Sequence, residues 1–260
     1  MSVIDPLRLP ARAALFAGST AAMYTAFEAH AAVAGAASRD EILRKWVVQY
    51  GRVQLKIFGF NVHGQGPHLS EGHAYPGRNA QGKGRLFVMN HRSALDILVA
   101  LAFLDARIVS RGDLAKWPVV GYLAKRIGTL FVDRESTVSG ARVAGAMVKA
   151  VEAGRGVLVF PEGTTFSGDE VRPFRPGAFV VAKRTGAELV PVGIAYADEH
   201  ATFGNETFGA HMKRVAGEPK TRAALVVGEP IPVADRDAPA LQAEAHAQIQ
   251  SLVYTARKSL

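Results

Sequence analysis

Five short apolar runs, separated by four stretches with helical spacing, constrain this chain more than any other feature. Residues 86–89, 107–110, 129–132, 157–160 and 188–195 read as strands, and residues 93–104, 117–126, 138–153 and 178–185 read as the helices between them. Continuous apolar runs of this length suit strands buried on both faces, and strand–helix alternation implies a mainly parallel sheet flanked by helices. A sixth run at 223–227 follows, then a closing helix marked by Leu241, Ala245, Ile249, Leu252 and Ala256. The fold class expected is α/β.

Upstream, Ser38 reads as a helix cap with Asp40 and Glu41 in the first turn, and Ile42, Trp46, Val47, Tyr50 and Val53 continue a helical stripe. Residues 64–84, rich in Gly, Pro, Asn and His, read as a loop. The longest uncharged stretch, 13–27, is mostly Ala, Gly, Ser and Thr and ends at Glu28. A bilayer-spanning helix needs about 20 mostly apolar residues, so no span is expected. Phe16, Met23, Phe27 and Val33, with Tyr24 beside them, still form one apolar stripe behind Arg8 and Arg12. That pattern suits a helix in a membrane interface and equally one packed on the protein's own core. Arg8, Arg12, the apolar run and Ala29-His30-Ala31 also imitate a signal peptide. The organisation expected is an N-terminal helical segment over 1–60, read as a membrane-interface anchor, and an α/β domain over 61–260.

The chain holds 31 Lys and Arg against 23 Asp and Glu, a net charge of +8. Six basic residues against two acidic ones lie between Arg107 and Arg134, and four basic residues with no acid lie between Arg172 and Arg184. These two stretches carry the whole surplus, which favours anionic partners. Cysteine is absent, so disulfides, thiolate nucleophiles and Cys-bound metals are excluded. Residues 77–83 have P-loop spacing, but Gly84 stands where Ser or Thr is needed and the segment leads into a strand rather than out of one. There is no Gly-x-Ser-x-Gly, no Ser-x-x-Lys and no His-Glu-x-x-His. No metal and no bound cofactor are expected.

Two motifs stand at strand ends. Asn90-His91-Arg92-Ser93-Ala94-Leu95-Asp96 follows the 86–89 run, where open α/β sheets bind ligands. Read plainly, Ser93 caps the next helix with Asp96 at its third position. Read chemically, Asp96 reaches back to His91, and a carboxylate on one ring nitrogen makes the other a better base. Phe160-Pro161-Glu162-Gly163-Thr164-Thr165 ends the fourth strand, with Glu162 as an exposed acceptor for hydroxyls or a guanidinium on a stiff turn.

Asn90-His91-x4-Asp96, Gly128 to Arg134, Phe160-Pro161-Glu162-Gly163-Thr164 and Val190-Pro191-Val192, in that order, resemble the 1-acylglycerol-3-phosphate acyltransferases, over roughly residues 84–195. The resemblance implies acyl transfer from acyl-CoA or acyl carrier protein to a lysolipid hydroxyl at the cytoplasmic face of the cell membrane, by a peripheral or monotopic protein. It implies His91 as general base and Asp96 as its orienter. Arg134, Glu162, Gly163, Thr164 and Arg175 become the candidate acceptor-binding residues, with Lys183 in reserve. Backbone amides near Ser93 are the expected oxyanion donors.

One departure matters: many relatives carry Arg after Phe-Pro-Glu-Gly-Thr, and here Thr165 stands there. The acceptor expected is 1-acylglycerol 3-phosphate, with lyso-ornithine lipid, used by a bacterial relative, as the alternative. A non-catalytic protein that binds anionic lipid is the alternative of another class. Nucleic acid is not an expected partner, because no binding module is present and aromatics do not interleave the basic runs.

Overall fold

A computed structural model of the protein describes residues 7–69, 73–117, 120–133 and 137–260. Two helices come first, α1 (Arg8–Ala34) and α2 (Arg39–Ile57), followed by strand β1 (Phe60–Gln65). The alternating part then runs β2 (Leu86–Met89), α3 (Asp96–Phe103), β3 (Ala106–Arg111), α4 (Val120–Arg126), β4 (Leu130–Val132), α5 (Thr137–Glu152), β5 (Gly156–Val159), α6 (Gly177–Thr185) and β6 (Leu189–Tyr196). Helix α7 (Phe208–Gly217), strand β7 (Thr221–Val227) and helix α8 (Ala238–Lys258) close the described chain.

The strands form one sheet in the order β1-β7-β6-β2-β5-β3-β4. Every neighbouring pair is parallel except β6 with β7. Strand β2 sits at the centre, paired with β6 on one side and β5 on the other, and shows why the apolar runs are continuous. Phe87 and Met89 enter the core layer shared with Leu55, Val99, Leu101 and Val215, while Leu86 and Val88 enter the opposite layer with Val151, Phe179, Leu241 and Ile249. Successive strand residues face opposite sides, so a strand covered on both faces needs apolar residues at every position.

Where strands and helices were read from the sequence they form, with shifted ends. Two elements were not read. Strand β1 lies within and just before the stretch taken as loop, and α7 lies where no element was expected. Of the stretch 117–126, α4 covers Val120–Arg126, and a 3₁₀ turn that the sequence did not suggest, Gly112–Lys116, precedes it. Ser38 precedes α2 as expected but makes no side-chain cap bond, since its backbone is already helical (φ −92°, ψ −9°). A cap needs extended backbone to aim its oxygen at the first free amides.

Helix α1 packs on α2 and α7. Phe16 meets Phe58 with ring centroids 5.9 Å apart, and Phe27 is buried with Ala31 and Ile42. Val33 does not share the buried stripe and is 90% exposed. Buried Arg12 donates to the carbonyls of Ala216 (2.8 Å), Glu218 (2.5 Å) and Pro219 (3.1 Å), and Arg8 donates to Gly217 O (2.9 Å). These cations meet the carbonyl end of α7, where the helix dipole favours them. Among the described residues no helix is long and apolar enough to cross a membrane.

Helix α2 lies close to α3 because position 51 is glycine. A Cβ there would stand 2.6 Å from Ala102 N and 2.9 Å from Leu101 C, backbone atoms that cannot rotate away. Gly51→Ala is therefore expected to lower the thermal midpoint, overpacking costing about 1–3 kcal/mol against at most about 1 kcal/mol of helix propensity gained. Gly18→Ala, on exposed α1 surface with nothing within 4 Å of the added carbon, is expected to raise it. The two melting curves side by side check both signs; a stabilised Gly51→Ala protein overturns the packing argument.

Candidate active site

Three neighbouring strands, β5, β2 and β6, end on the same edge of the sheet, and the two sequence motifs meet there. Asn90, fully buried, continues the ladder with its side chain: Nδ2 donates to Ile194 O (3.0 Å) and Ile194 N donates to Oδ1 (2.8 Å). The amide keeps β6 satisfied while the main chain leaves the sheet at His91.

His91 Nδ1 lies 2.7 Å from Asp96 Oδ2. The same oxygen accepts from Arg92 N (2.6 Å) and Ser93 N (2.9 Å), and Oδ1 accepts from the Tyr196 hydroxyl (2.5 Å). An oxygen already facing two N–H donors is an acceptor toward the ring as well, so Nδ1 carries the imidazole proton. Nε2 is then the lone-pair nitrogen, and no hydrogen bond fills it among the described residues. The ring stacks on Phe160, 4.0 Å between centroids at 19°, and its side chain is 12% exposed beside a fully buried Asp96. The arrangement is that of a base with one fixed tautomer and one accessible nitrogen.

The turn from 91 to 96 corrects two expectations. Helix α3 starts at Asp96 rather than Ser93, and Leu95, not Ser93, stands at the cap position without a side-chain bond. The carboxylate takes the amides of Arg92 and Ser93, and Ser93 Oγ accepts from Leu95 N (3.3 Å) instead of capping α3. Charge-assisted bonds outcompete a neutral hydroxyl. The amides near Ser93 are also not free for an oxyanion: His91 N donates to Glu162 (2.8 Å), Ala94 N to His211 Nε2 (3.2 Å), and Asp96 N to Ser93 O (3.2 Å).

Glu162 is not exposed as expected, and of the two groups expected for it the guanidinium is the one it accepts from. It is buried, and Arg92 Nη1 donates to both its oxygens (2.9 and 3.0 Å). His91 N and Arg172 N (3.0 Å) complete its bonds. Arg92, 1% exposed, also donates to the carbonyls of Gly168 (2.7 Å), Glu170 (2.8 Å) and His91 (2.9 Å). This ion pair ties the motif after β5 to the motif after β2. Gly163 has φ +80°, and a Cβ there would lie 2.5 Å from Arg175 Nε. Glycine thus permits the turn and leaves room for the exposed Arg175 side chain alongside it. Thr164 is exposed and Thr165 half-buried. Arg134 lies outside the described residues. Lys183 is on α6, with its ammonium 3.4 Å from Ala234 O.

Two further residues reach the site from elements that sequence reading did not connect to it. Tyr196 ends β6 on Asp96; burial first, then the Asp96 charge, pushes its phenol well above the usual range, so it stays a donor. His211 of α7 lies 3.1 Å from Ser93 Oγ and 3.2 Å from Glu206 Oε1. Burial pushes its imidazole below the ordinary value. Glu206 is itself lowered to about 2, chiefly by its bond from Arg214. No group of three or more potential metal ligands occurs among the described residues.

Comparison with known proteins gives the family. Residues 69–195 match the sequence model of the acyltransferase family, a stretch that takes in both motifs. A lyso-ornithine lipid O-acyltransferase of Pseudomonas aeruginosa is 30% identical over 175 residues, covering 65% of this chain and 67% of that protein. A 1-acyl-sn-glycerol-3-phosphate acyltransferase of Neisseria gonorrhoeae is 32% identical over 116 residues, 45% of this chain and 46% of that one, so the match spans less than half of that relative. The crystal structure of the 1-acyl-sn-glycerophosphate (LPA) acyltransferase PlsC from Thermotoga maritima has a TM-score of 0.62 at 17% identity, over 84% of this chain and 81% of that one, a likeness of fold. The chain belongs to the acyltransferase family and is an acyltransferase enzyme.

Proposed function

We propose that the protein transfers a fatty acyl group from acyl-CoA or acyl carrier protein to the sn-2 hydroxyl of 1-acylglycerol 3-phosphate, forming phosphatidic acid. The observation that carries the chemistry is the 2.7 Å contact of His91 Nδ1 with a four-donor Asp96. Nε2 of His91 takes the proton of the acceptor hydroxyl as its oxygen attacks the thioester carbonyl. The tetrahedral oxyanion collapses, the C–S bond breaks, and the thiolate recovers the proton from His91. The thioester is already activated, so no covalent enzyme intermediate is needed. His91 and Asp96 are the catalytic pair in this reading. Glu162 serves through Arg92 and the His91 amide rather than by touching the acceptor. Arg175 beside Gly163, with Thr164 and Arg134, binds the anionic head group.

The N-terminal segment, residues 1–60, serves as the membrane-interface anchor ahead of the acyltransferase domain at 61–260. The apolar cleft lined by Met23, Phe27, Trp46, Tyr50, Leu123 and Ile127 offers hydrocarbon a surface beside it. The protein works at the cytoplasmic face of the membrane. Its basic stretches meet anionic lipid and the phosphates of the donor.

A second acceptor, lyso-ornithine lipid, is favoured by Thr165 and by the longer match to the Pseudomonas relative. A bidentate Arg–phosphate contact is lost where Thr replaces Arg. The deciding experiment follows acyl-CoA-dependent thiol release by the purified protein with each lysolipid in turn. Robust release with 1-acylglycerol 3-phosphate is expected, and Thr165→Arg is expected to preserve it. Release with lyso-ornithine lipid alone reverses the acceptor assignment. Release with no lysolipid in a broad panel removes the acyltransfer reading in favour of lipid binding without chemistry.

A further inference from the structure

We propose that Tyr196 and His211 are positioning residues for the His91–Asp96 pair, one fixing the carboxylate and the other fixing the turn that feeds it. This rests on His91 being the base.

The carboxylate of Asp96 has three donors on Oδ2 and one, the Tyr196 hydroxyl, on Oδ1. Rotation about the Cβ–Cγ bond carries both oxygens, so it must break the Tyr196 bond along with the three on Oδ2. The bond to Oδ1 thus adds a fourth restraint on the carboxylate plane and on the line from Oδ2 to the His91 ring. A Phe at 196 would fill the same core position without burying a hydroxyl, and a buried hydroxyl is costly unless bonded. The Tyr196 side chain already packs in the core, edge-on to Phe60 with centroids 6.3 Å apart. Its oxygen is thus the part that serves the site.

His211 acts one step further out. Its Nε2 faces the Ala94 amide and the Ser93 hydroxyl, and Ser93 Oγ in turn accepts from Leu95 N. Nε2 must be an acceptor toward Ala94 N–H, so the proton sits on Nδ1 and points to Glu206. The same turn supplies the Ser93 and Arg92 amides that hold Asp96. Protonating Nε2 would set N–H against N–H and push the turn off the carboxylate. The charged groups facing His211 are Glu206 ahead of α7, Arg214 on α7 and Asp96 on α3. Phe203 covers the ring, with centroids 4.4 Å apart. Burial and Arg214 favour the neutral ring over the opposing carboxylates.

The test measures kcat, acceptor KM and the pH dependence of kcat/KM on detergent-dispersed substrate. By analogy with outer-shell partners of functional histidines, Tyr196→Phe is expected to lower kcat about 10–100-fold with little change in acceptor KM. Without its hydroxyl donor, Asp96 keeps more negative charge for the imidazolium, so the acidic limb moves to higher pH. A merely structural tyrosine would not move that limb. His211→Ala is expected to lose kcat similarly, and His211→Gln, whose amide oxygen replaces the acceptor, to recover most of it. Folded Tyr196→Phe and His211→Ala proteins with wild-type kcat and an unmoved limb, alongside an inactive His91→Ala, overturn the positioning roles and leave the base in place. An active His91→Ala overturns the base reading itself. If Tyr196→Phe does not fold, the His211 pair decides: recovery by Gln supports the proposal, and equal kcat in the Ala and Gln proteins overturns it.

Discussion

His91→Ala is expected to lower kcat by about 10²–10⁴-fold, the contribution of a positioned acid–base group, without unfolding the protein. His91 is 12% exposed at its side chain and packs on one ring face against Phe160, so its truncation opens space at a surface rather than in the core. Asp96→Asn is expected to lose less, for a reason the geometry supplies. An Asn that swung its amide nitrogen toward His91 would impose the wrong tautomer. Here the oxygen is held on the ring side by the amides of Arg92 and Ser93, and the amide nitrogen falls opposite Tyr196, whose hydroxyl can accept. The tautomer survives and only the charge is lost. Single-turnover rates of the two variants, with circular dichroism to confirm folding, check the order. Near-wild-type turnover by folded His91→Ala sinks the mechanism, and an Asp96→Asn protein more damaged than His91→Ala sinks the argument about orientation.

The parts of the fold that sequence disclosed are those whose residues answer to local rules. Strands β2 and β5 read as strands because both faces are covered, and α8 because its buried positions recur at helical spacing, capped by Asp237 through Ala240 N. Strand β1, Phe-Asn-Val-His-Gly-Gln, is a half-exposed edge strand with no apolar run. It becomes a strand through its register with β7, from Phe60 opposite Thr221 to Gln65 opposite Val226. Helix α7 has only ten residues, glycine at both 209 and 217, and partners far away in the chain: Arg12 at its carbonyl end and Ser93 on His211. Neither signal exists within a short window.

The same division runs through the site. His91 and Asp96 were legible because only four residues lie between them and one turn joins them. Ser93 misled, since Ser-x-x-Asp reads as a hydroxyl cap with a helpful acid, whereas the ionised carboxylate takes the amides itself. Glu162 was read as a free acceptor because its partner Arg92 lies 70 residues earlier. Arg92 stands out as the one charged residue among the four between His91 and Asp96; Tyr196, 100 residues from Asp96, ends an otherwise apolar strand and carries no such mark. The acceptor subsite is the least legible part. Among its candidates Arg175 beside Gly163 is placed, and Arg134 lies outside the described residues.

Glu162→Ala is expected to cost about 3–5 kcal/mol of stability, the penalty for breaking a buried pair by removing one partner. The Arg92 guanidinium would remain 1% exposed with three carbonyl acceptors and no countercharge, and the amides of His91 and Arg172 would lose their acceptor. A well-packed apolar replacement of both partners, Arg92→Met with Glu162→Leu, is expected to recover much of that loss, because two buried charges cost as much desolvation as they return in attraction. Activity is expected to follow a different course. The double variant still lacks the acceptor for His91 N and the bonds from Arg92 to the segment after β5, so its kcat stays low while its denaturation midpoint rises. Chemical denaturation and initial rates on the wild type, the two single variants and the double variant close the cycle. A Glu162→Ala loss below about 1 kcal/mol would mean that the pair is solvated. A double variant with wild-type kcat would mean that the pair stabilises the fold and does nothing for the site. A stable double variant with a low rate separates the two contributions: the ion pair then holds the His91 turn against the strand that follows it in space, which is β5, and its charge serves the geometry of the base more than the stability of the chain.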